Sequence, residues 1–279
     1  MEEFKSFYKK VDGNEGSKCK YPTRLDTYGC GCSHDCKYCY AKSLLSFRKL
    51  WNPTQPRVAN INKIEKVIKK IPAGSVVRLG GMTDCFQPIE AEYEITYKTI
   101  QLLNKQKVNY LIVTKSDLVA EDKYISILDK SLAHIQITVT TTDDDKSLTY
   151  EKAVVPSRRI KAIEKLYDNG FDVAIRLSPY IKDYIDINRI TELRCDKMIV
   201  EFLRINAWIK QWFDINVFEY TVRSGGYYHL PLERKKELVE ELKRTSKTIS
   251  VCEDEDNAYN YWKYNLNPKE DCCNLNIQQ

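Results

Sequence analysis

The chain has 279 residues, 43% of them hydrophobic, enough for one large domain with its own core. Its 44 basic and 39 acidic residues leave a formal net charge of +5, a small excess that permits a nucleic-acid partner without arguing for one. Ten cysteines against three histidines, His34, His134 and His229, point to thiolate metal or redox chemistry and leave few places for histidine-based catalysis.

The first ten residues carry Glu2, Glu3, Lys5, Lys9 and Lys10, and no later run approaches about 18 apolar residues. The expectation is a cytoplasmic protein without a membrane partner. After a polar lead-in over residues 1–21, short apolar runs alternate with amphipathic segments, the rhythm of βα units. Strands are expected at Thr23 to Tyr28, Ser75 to Gly80, Asn109 to Thr114, His134 to Thr140, Phe171 to Leu177 and Lys197 to Leu203. Their runs of β-branched residues, such as Val76-Val77 and Ile199-Val200, suit strands buried on both faces of a parallel sheet. Helices are expected at Ile61 to Ile71, Glu90 to Gln106, Ala120 to Ser131, Pro156 to Asn169 and Ile187 to Leu193. Six such units over residues 22–205 fit an α/β fold, either an incomplete parallel barrel or an open wound sheet, with its chemistry at the carboxyl ends of the strands. Residues 206–279 change character: an aromatic helix near Trp208, a Gly225-Gly226 loop, a charged helix from Pro231 to Arg244, and a tail with Cys252, Cys272 and Cys273. This segment reads as an extension covering the barrel mouth.

Directly after the first strand comes Cys32-Ser-His-Asp-Cys36-Lys-Tyr-Cys39, a CxxxCxxC array with an aromatic before its last cysteine. Thiolates are soft ligands, and three on one short loop wrap one face of an iron-sulfur cubane while leaving its fourth iron open. Ferredoxin runs are spaced CxxCxxC and structural zinc sites use separated pairs, so neither alternative fits this loop well.

The loop resembles the signature of the radical S-adenosylmethionine (SAM) superfamily. That resemblance implies a 4Fe-4S cluster on Cys32, Cys36 and Cys39, SAM chelated to the open iron, and Tyr38 near the adenine. It also implies an electron donor such as flavodoxin or ferredoxin, and a 5′-deoxyadenosyl radical that abstracts hydrogen from substrate. The second strand ends Gly80-Gly-Met-Thr-Asp-Cys-Phe-Gln-Pro-Ile-Glu90, which resembles the superfamily's Gly-Gly motif followed by a segment of the spore photoproduct lyase-like family. Val113-Thr-Lys115-Ser, Thr138-Val-Thr-Thr-Thr-Asp143 and Arg176-Leu-Ser-Pro179 continue the likeness, so it spans roughly Arg24 to Arg204.

By the same resemblance the fold is a partial (βα)6 barrel, and Gly80, Gly81, Thr83, Asp84, Lys115, Thr140 and Arg176 contact the cofactor. The substrate it implies is a nucleic-acid base or nucleotide; radical modification of a peptide or protein and a structural iron-sulfur or zinc module are the rival readings. The chain departs from the lyase where Gly81 replaces a hydrogen-donating cysteine. Cys85, just after the Thr83-Asp84 pair, is then the candidate hydrogen donor, with packing as a small buried hydrophobe the alternative. Cys252, Cys272 and Cys273, with Cys19 or Cys30, are a candidate second metal set, although adjacent cysteines do not easily share one ion. Arg158-Arg159 and Lys235-Lys236 read as solvated helix faces.

Overall fold

The computed structural model describes residues 2–275 and Ile277, apart from the side chains of Asn14 and Glu15. Seven strands lie parallel, side by side in sequence order: β1 (Thr23–Leu25), β2 (Val76–Leu79), β3 (Asn109–Thr114), β4 (Ala133–Thr138), β5 (Asp172–Tyr180), β6 (Lys197–Phe202) and β7 (Thr248–Val251). An eighth strand, Tyr8–Lys10, runs antiparallel to β1 at one edge. Among the described residues β7 does not pair with that edge, so the sheet forms an incomplete barrel. The expected six-unit α/β barrel is present, and both flanking segments add a strand to it. β7 pairs with β6 in register from Lys197↔Thr248 to Val200↔Val251. The division at residues 21 and 205 therefore divides the chain without dividing the sheet.

Alternation along each strand sets two layers. Tyr110 and Ile112 of β3 join the core beneath the helices, while Leu111 and Val113 face the barrel interior with Tyr21, Cys272, Cys273 and Leu275. The tail does not stop at the mouth: the turn at 271–274 reaches the inner wall. Gln136 on β4 donates to the Cys273 carbonyl at 3.2 Å, and Lys197 at the start of β6 donates to the Asn274 carbonyl at 2.8 Å.

Three expected elements differ for physical reasons. The first strand ends at Leu25, because the Asp26 carboxylate turns inward to accept the N–H groups of Gly81 (2.5 Å) and Met82 (3.2 Å). Tyr28–Gly29 then pairs antiparallel with Arg57–Ala59 in a separate three-stranded sheet, which ties off the cysteine loop at its base. The helix expected from Glu90 breaks at Glu94, whose φ is +54°. The break lets the Glu90 carboxylate cap the helix Ile95–Gln106, accepting Thr96 and Tyr97 N–H, both at 2.9 Å. The segment 120–131 is helical only over Asp122–Ile125, because the Asp129 carboxylate takes Ser131 N–H at 2.9 Å into a turn. No described helix is long and apolar enough to cross a membrane.

Candidate cofactor site

The carboxyl ends of the strands open into a cavity of about 1570 Å3, counting its open mouth. Cys32, Cys36, Tyr38 and Cys39 line it from the cysteine loop, and Gly80, Gly81, Thr83, Asp84, Lys115 and Arg176 line it from strand ends. Most of the expected site thus converges from elements far apart in sequence.

The loop is shaped by backbone fit. Gly31 permits it to pass under residue 52, since a Cβ there would stand 1.9 Å from the Asn52 carbonyl oxygen. Its thiols sit in contrasting surroundings. Cys39 is the N-cap of the helix Tyr40–Phe47, and its sulfur accepts the Lys42 N–H at 3.4 Å. Burial pushes the Cys32 thiol up to about 12 and raises Cys36 as well. An isolated buried thiolate is costly, whereas a metal bound to it removes that cost, so the donor set fits a soft metal centre.

Gly80 needs its glycine: φ is +79°, and a Cβ would lie 3.0 Å from the Thr83 carbonyl oxygen. Gly81 is held between elements, its N–H on Asp26 and its carbonyl accepting the Tyr40 hydroxyl at 2.8 Å. Asp84 is a junction. Its carboxylate accepts Phe86 N–H (2.8 Å), the Thr114 hydroxyl (2.7 Å) and Lys115 N–H (2.7 Å), with His34 Nε2 3.2 Å away. Burial alone would raise its pKa; His34 and these donors outweigh that and hold the carboxyl at about 2. The Thr83 hydroxyl donates to the Tyr28 carbonyl at 2.6 Å.

Lys115 places its ammonium 5.5 Å from the centre of the Tyr38 ring. Burial lowers its pKa, but Cys36 and Glu151 outweigh burial and hold it above its ordinary value. Glu151 is the group that sequence reasoning missed. Fully buried, its carboxylate accepts the Tyr38 hydroxyl, lies 3.8 Å from the Cys36 sulfur and pairs with the equally buried Arg159. Arg159 is therefore no solvated helix face. Lys235 is likewise buried, paired with Glu253. A lone charge on a polar stretch gives no signal of such burial; only the fold brings these pairs together.

Two expected contacts lie elsewhere. Thr140 is taken up behind Tyr38, its hydroxyl 3.0 Å from that of Tyr150 and 3.2 Å from Glu151, and it does not line the cavity. Cys85 is 1% exposed and belongs to the hydrophobic core outside the cavity wall. The reason is alternation past the strand end: Asp84 turns back to β3, which sends the next side chain outward. Its side chain packs in the core and does not line the cavity.

Residues 27–186, more than half of the chain, match the radical SAM superfamily. The chain belongs to this superfamily, whose members use a 4Fe-4S cluster and SAM. An uncharacterized protein of Methanocaldococcus jannaschii is 28% identical over 190 residues, 63% of this chain and 69% of that one. In fold, the chain is similar to a spore photoproduct lyase variant solved with dinucleoside spore photoproduct (TM-score 0.68, 15% identity, covering 90% of this chain and 81% of that chain). A second lyase variant, with bound AdoMet and dinucleoside spore photoproduct, gives 0.63 at 16% identity, covering 85% and 83%. SuiB of Streptococcus suis bound to S-adenosylmethionine gives 0.52 at 14% identity, covering 82% of this chain and 49% of that one. At these identities the likeness concerns the fold, here the α/β radical SAM barrel.

Proposed function

We propose that this radical SAM protein abstracts hydrogen from a nucleic-acid base or nucleotide held in the barrel cavity. The convergence of Cys32, Cys36, Cys39 and Lys115 on that one cavity carries the reading. In this assignment the three cysteines would hold the cluster. When bound and reduced, the cluster supplies the electron that cleaves SAM to methionine and a 5′-deoxyadenosyl radical.

The chain's own residues bind and orient. Lys115 pairs its cation with the methionine carboxylate, and the backbone at Gly80 and Gly81 leaves room for the amine. Asp84, saturated by donors, fixes the β2 and β3 ends relative to each other and so acts as a positioning residue. Thr83 and Thr140 serve the same way, and Tyr38 presents its ring beside the adenine. The nucleic-acid part is supported by Arg24 and Arg78 in the cavity lining beside Tyr40 and Phe202, while Lys18 and Arg204 there are paired with Asp256 and Asp254. Arg204 lies 4.7 Å from the Tyr40 ring centre and 5.0 Å from that of Tyr227, a planar cation between two aromatics. The likeness in fold to a lyase solved with a dinucleoside agrees with this choice. An electron donor of the flavodoxin or ferredoxin type belongs to the same proposal.

The test is to reduce the reconstituted protein with SAM and separate pools of uniformly deuterated DNA, RNA and peptide, then follow deuterium into 5′-deoxyadenosine. Transfer from the DNA or RNA pool is expected. Transfer from the peptide pool alone would overturn the nucleic-acid assignment while leaving the radical chemistry standing.

A further inference from the structure

The floor of the cavity carries a second set of thiols. Cys19, Cys252, Cys272 and Cys273 all line it, brought from three separate stretches: just before β1, just after β7, and the turn at 271–274. The Cys272 thiol contacts those of both Cys252 and Cys273, and the donor atoms of Asp271, Cys272 and Cys273 lie within 4.8 Å of one another. Neighbouring cysteines would point apart in an extended chain. Here a turn closed by Asn274 N–H on the Asp271 carbonyl (3.1 Å), with Asn274 at φ +48°, brings both sulfurs to one side.

Each stretch is anchored through atoms other than sulfur. Cys252 N–H donates to the Val200 carbonyl at 2.8 Å, and the Cys272 carbonyl accepts the Ser250 hydroxyl at 3.0 Å. The Asp271 carboxylate is already engaged by the Tyr21 hydroxyl (2.5 Å) and by the N–H groups of Cys273 (2.9 Å) and Leu275 (3.2 Å). The donors left to face a ligand are sulfurs, and Arg78 and Arg176 line the same cavity. All four cysteines are free thiols.

We propose that Cys19, Cys252, Cys272 and Cys273 form a second metal centre on the cavity floor, one that takes a thiophilic metal and is separate from the centre on residues 32–39. An all-sulfur donor set without free carboxylate or imidazole selects zinc or an iron-sulfur cluster over magnesium, calcium or manganese. It would place a fixed metal in the same cavity that Cys32, Cys36, Cys39 and Lys115 line.

The experiment is to isolate the full chain anaerobically and measure iron, acid-labile sulfide and zinc in the triple variant Cys32→Ala, Cys36→Ala, Cys39→Ala. Retention of about four irons with about four sulfides identifies a cluster, and retention of about one zinc identifies a single ion; either is expected. Adding Cys252→Ser and Cys272→Ser should remove it. A folded triple variant holding neither iron nor zinc overturns the proposal, and so does metal that survives the added serines. If the serine variants do not fold, the parent protein serves: its four floor cysteines should resist iodoacetamide until a strong chelator is added. Immediate alkylation, protection that the chelator leaves unchanged, or a Cys252–Cys272 disulfide in the anaerobic protein each counts against the centre. None of these readouts depends on SAM cleavage or on the substrate.

Discussion

The Gln87 side-chain oxygen accepts the Ser33 N–H at 3.0 Å and the Ser33 hydroxyl at 3.3 Å, while its amide nitrogen donates to the Gly31 carbonyl at 3.4 Å. Gln87 is wholly buried, so the segment after the Gly-Gly turn is a clamp on the cysteine loop. Glu90, three residues on, secures the loop's base by accepting the Tyr28 hydroxyl at 2.5 Å. The loop that carries the thiols is thus held by the segment that follows the Gly80-Gly81 turn.

Gln87→Ala should leave the half-buried Ser33 N–H without its acceptor, at a cost of about 1 kcal/mol. Urea unfolding should show that loss. The SAM-induced change in the electron paramagnetic resonance signal of the reduced protein should weaken, because the three thiols are no longer held in one arrangement. A parent-like signal would mean that the loop keeps its shape without the clamp.

Lys115→Ala should weaken SAM binding by tenfold or more, the worth of about 1.5–3 kcal/mol for a hydrogen bond to a charged group. Iron and sulfide content should not change, since the substitution leaves Cys32, Cys36 and Cys39 in place. Equilibrium binding of labelled SAM to the oxidised, cluster-containing protein measures this. Affinity equal to the parent's would move the carboxylate contact to another cation on the wall.

Much of this was legible because parallel strands buried on both faces have to be apolar throughout; Asn109–Thr114 falls where its Leu-Ile-Val run puts it. The thiol loop was legible because ligand spacing is local. What stayed hidden depends on distant partners. The four residues of Thr248–Val251 carry no strand signal beyond alternation, and their pairing with Lys197–Val200 makes them a strand. Arg159 reads as a solvated charge and Glu151 gives no signal in the sequence, yet the two form a buried pair. The direction of Cys85 was not legible, because it lies in the turn six residues beyond the strand Val76–Leu79, where alternation no longer tells inside from outside.

Cys85→Ala should leave SAM cleavage and the product pattern unchanged, since its side chain packs in the core. It should lower stability by about 1 kcal/mol, the usual order for a small cavity. Chromatography of the products, set beside a denaturation curve, separates the outcomes: altered products at unchanged stability would return Cys85 to the reaction.

At the opposite end of the barrel from the cavity, the Asp172 carboxylate joins three strands, 2.6 Å from His134 Nδ1 on β4 and 2.5 Å from Lys197 Nζ on β6. Burial pushes its pKa up, but hydrogen bonds from His134 and Lys197 outweigh burial and hold it below the ordinary carboxylate value. A carboxyl depressed in the folded state stabilises the fold above its unfolded pKa of about 3.9, and that contribution fades as pH falls through the folded pKa. Asp172→Asn should therefore destabilise the protein near neutral pH by about 1–3 kcal/mol, with the gap to the parent narrowing as pH drops below about 4. Lys197 also donates to the Asn274 carbonyl, so loosening this junction should expose the tail to protease sooner. Denaturant midpoints from pH 7 down to the lowest pH at which both proteins fold measure the gap. A constant gap across that range would show that the charge on Asp172 contributes nothing and that the loss comes from shape alone.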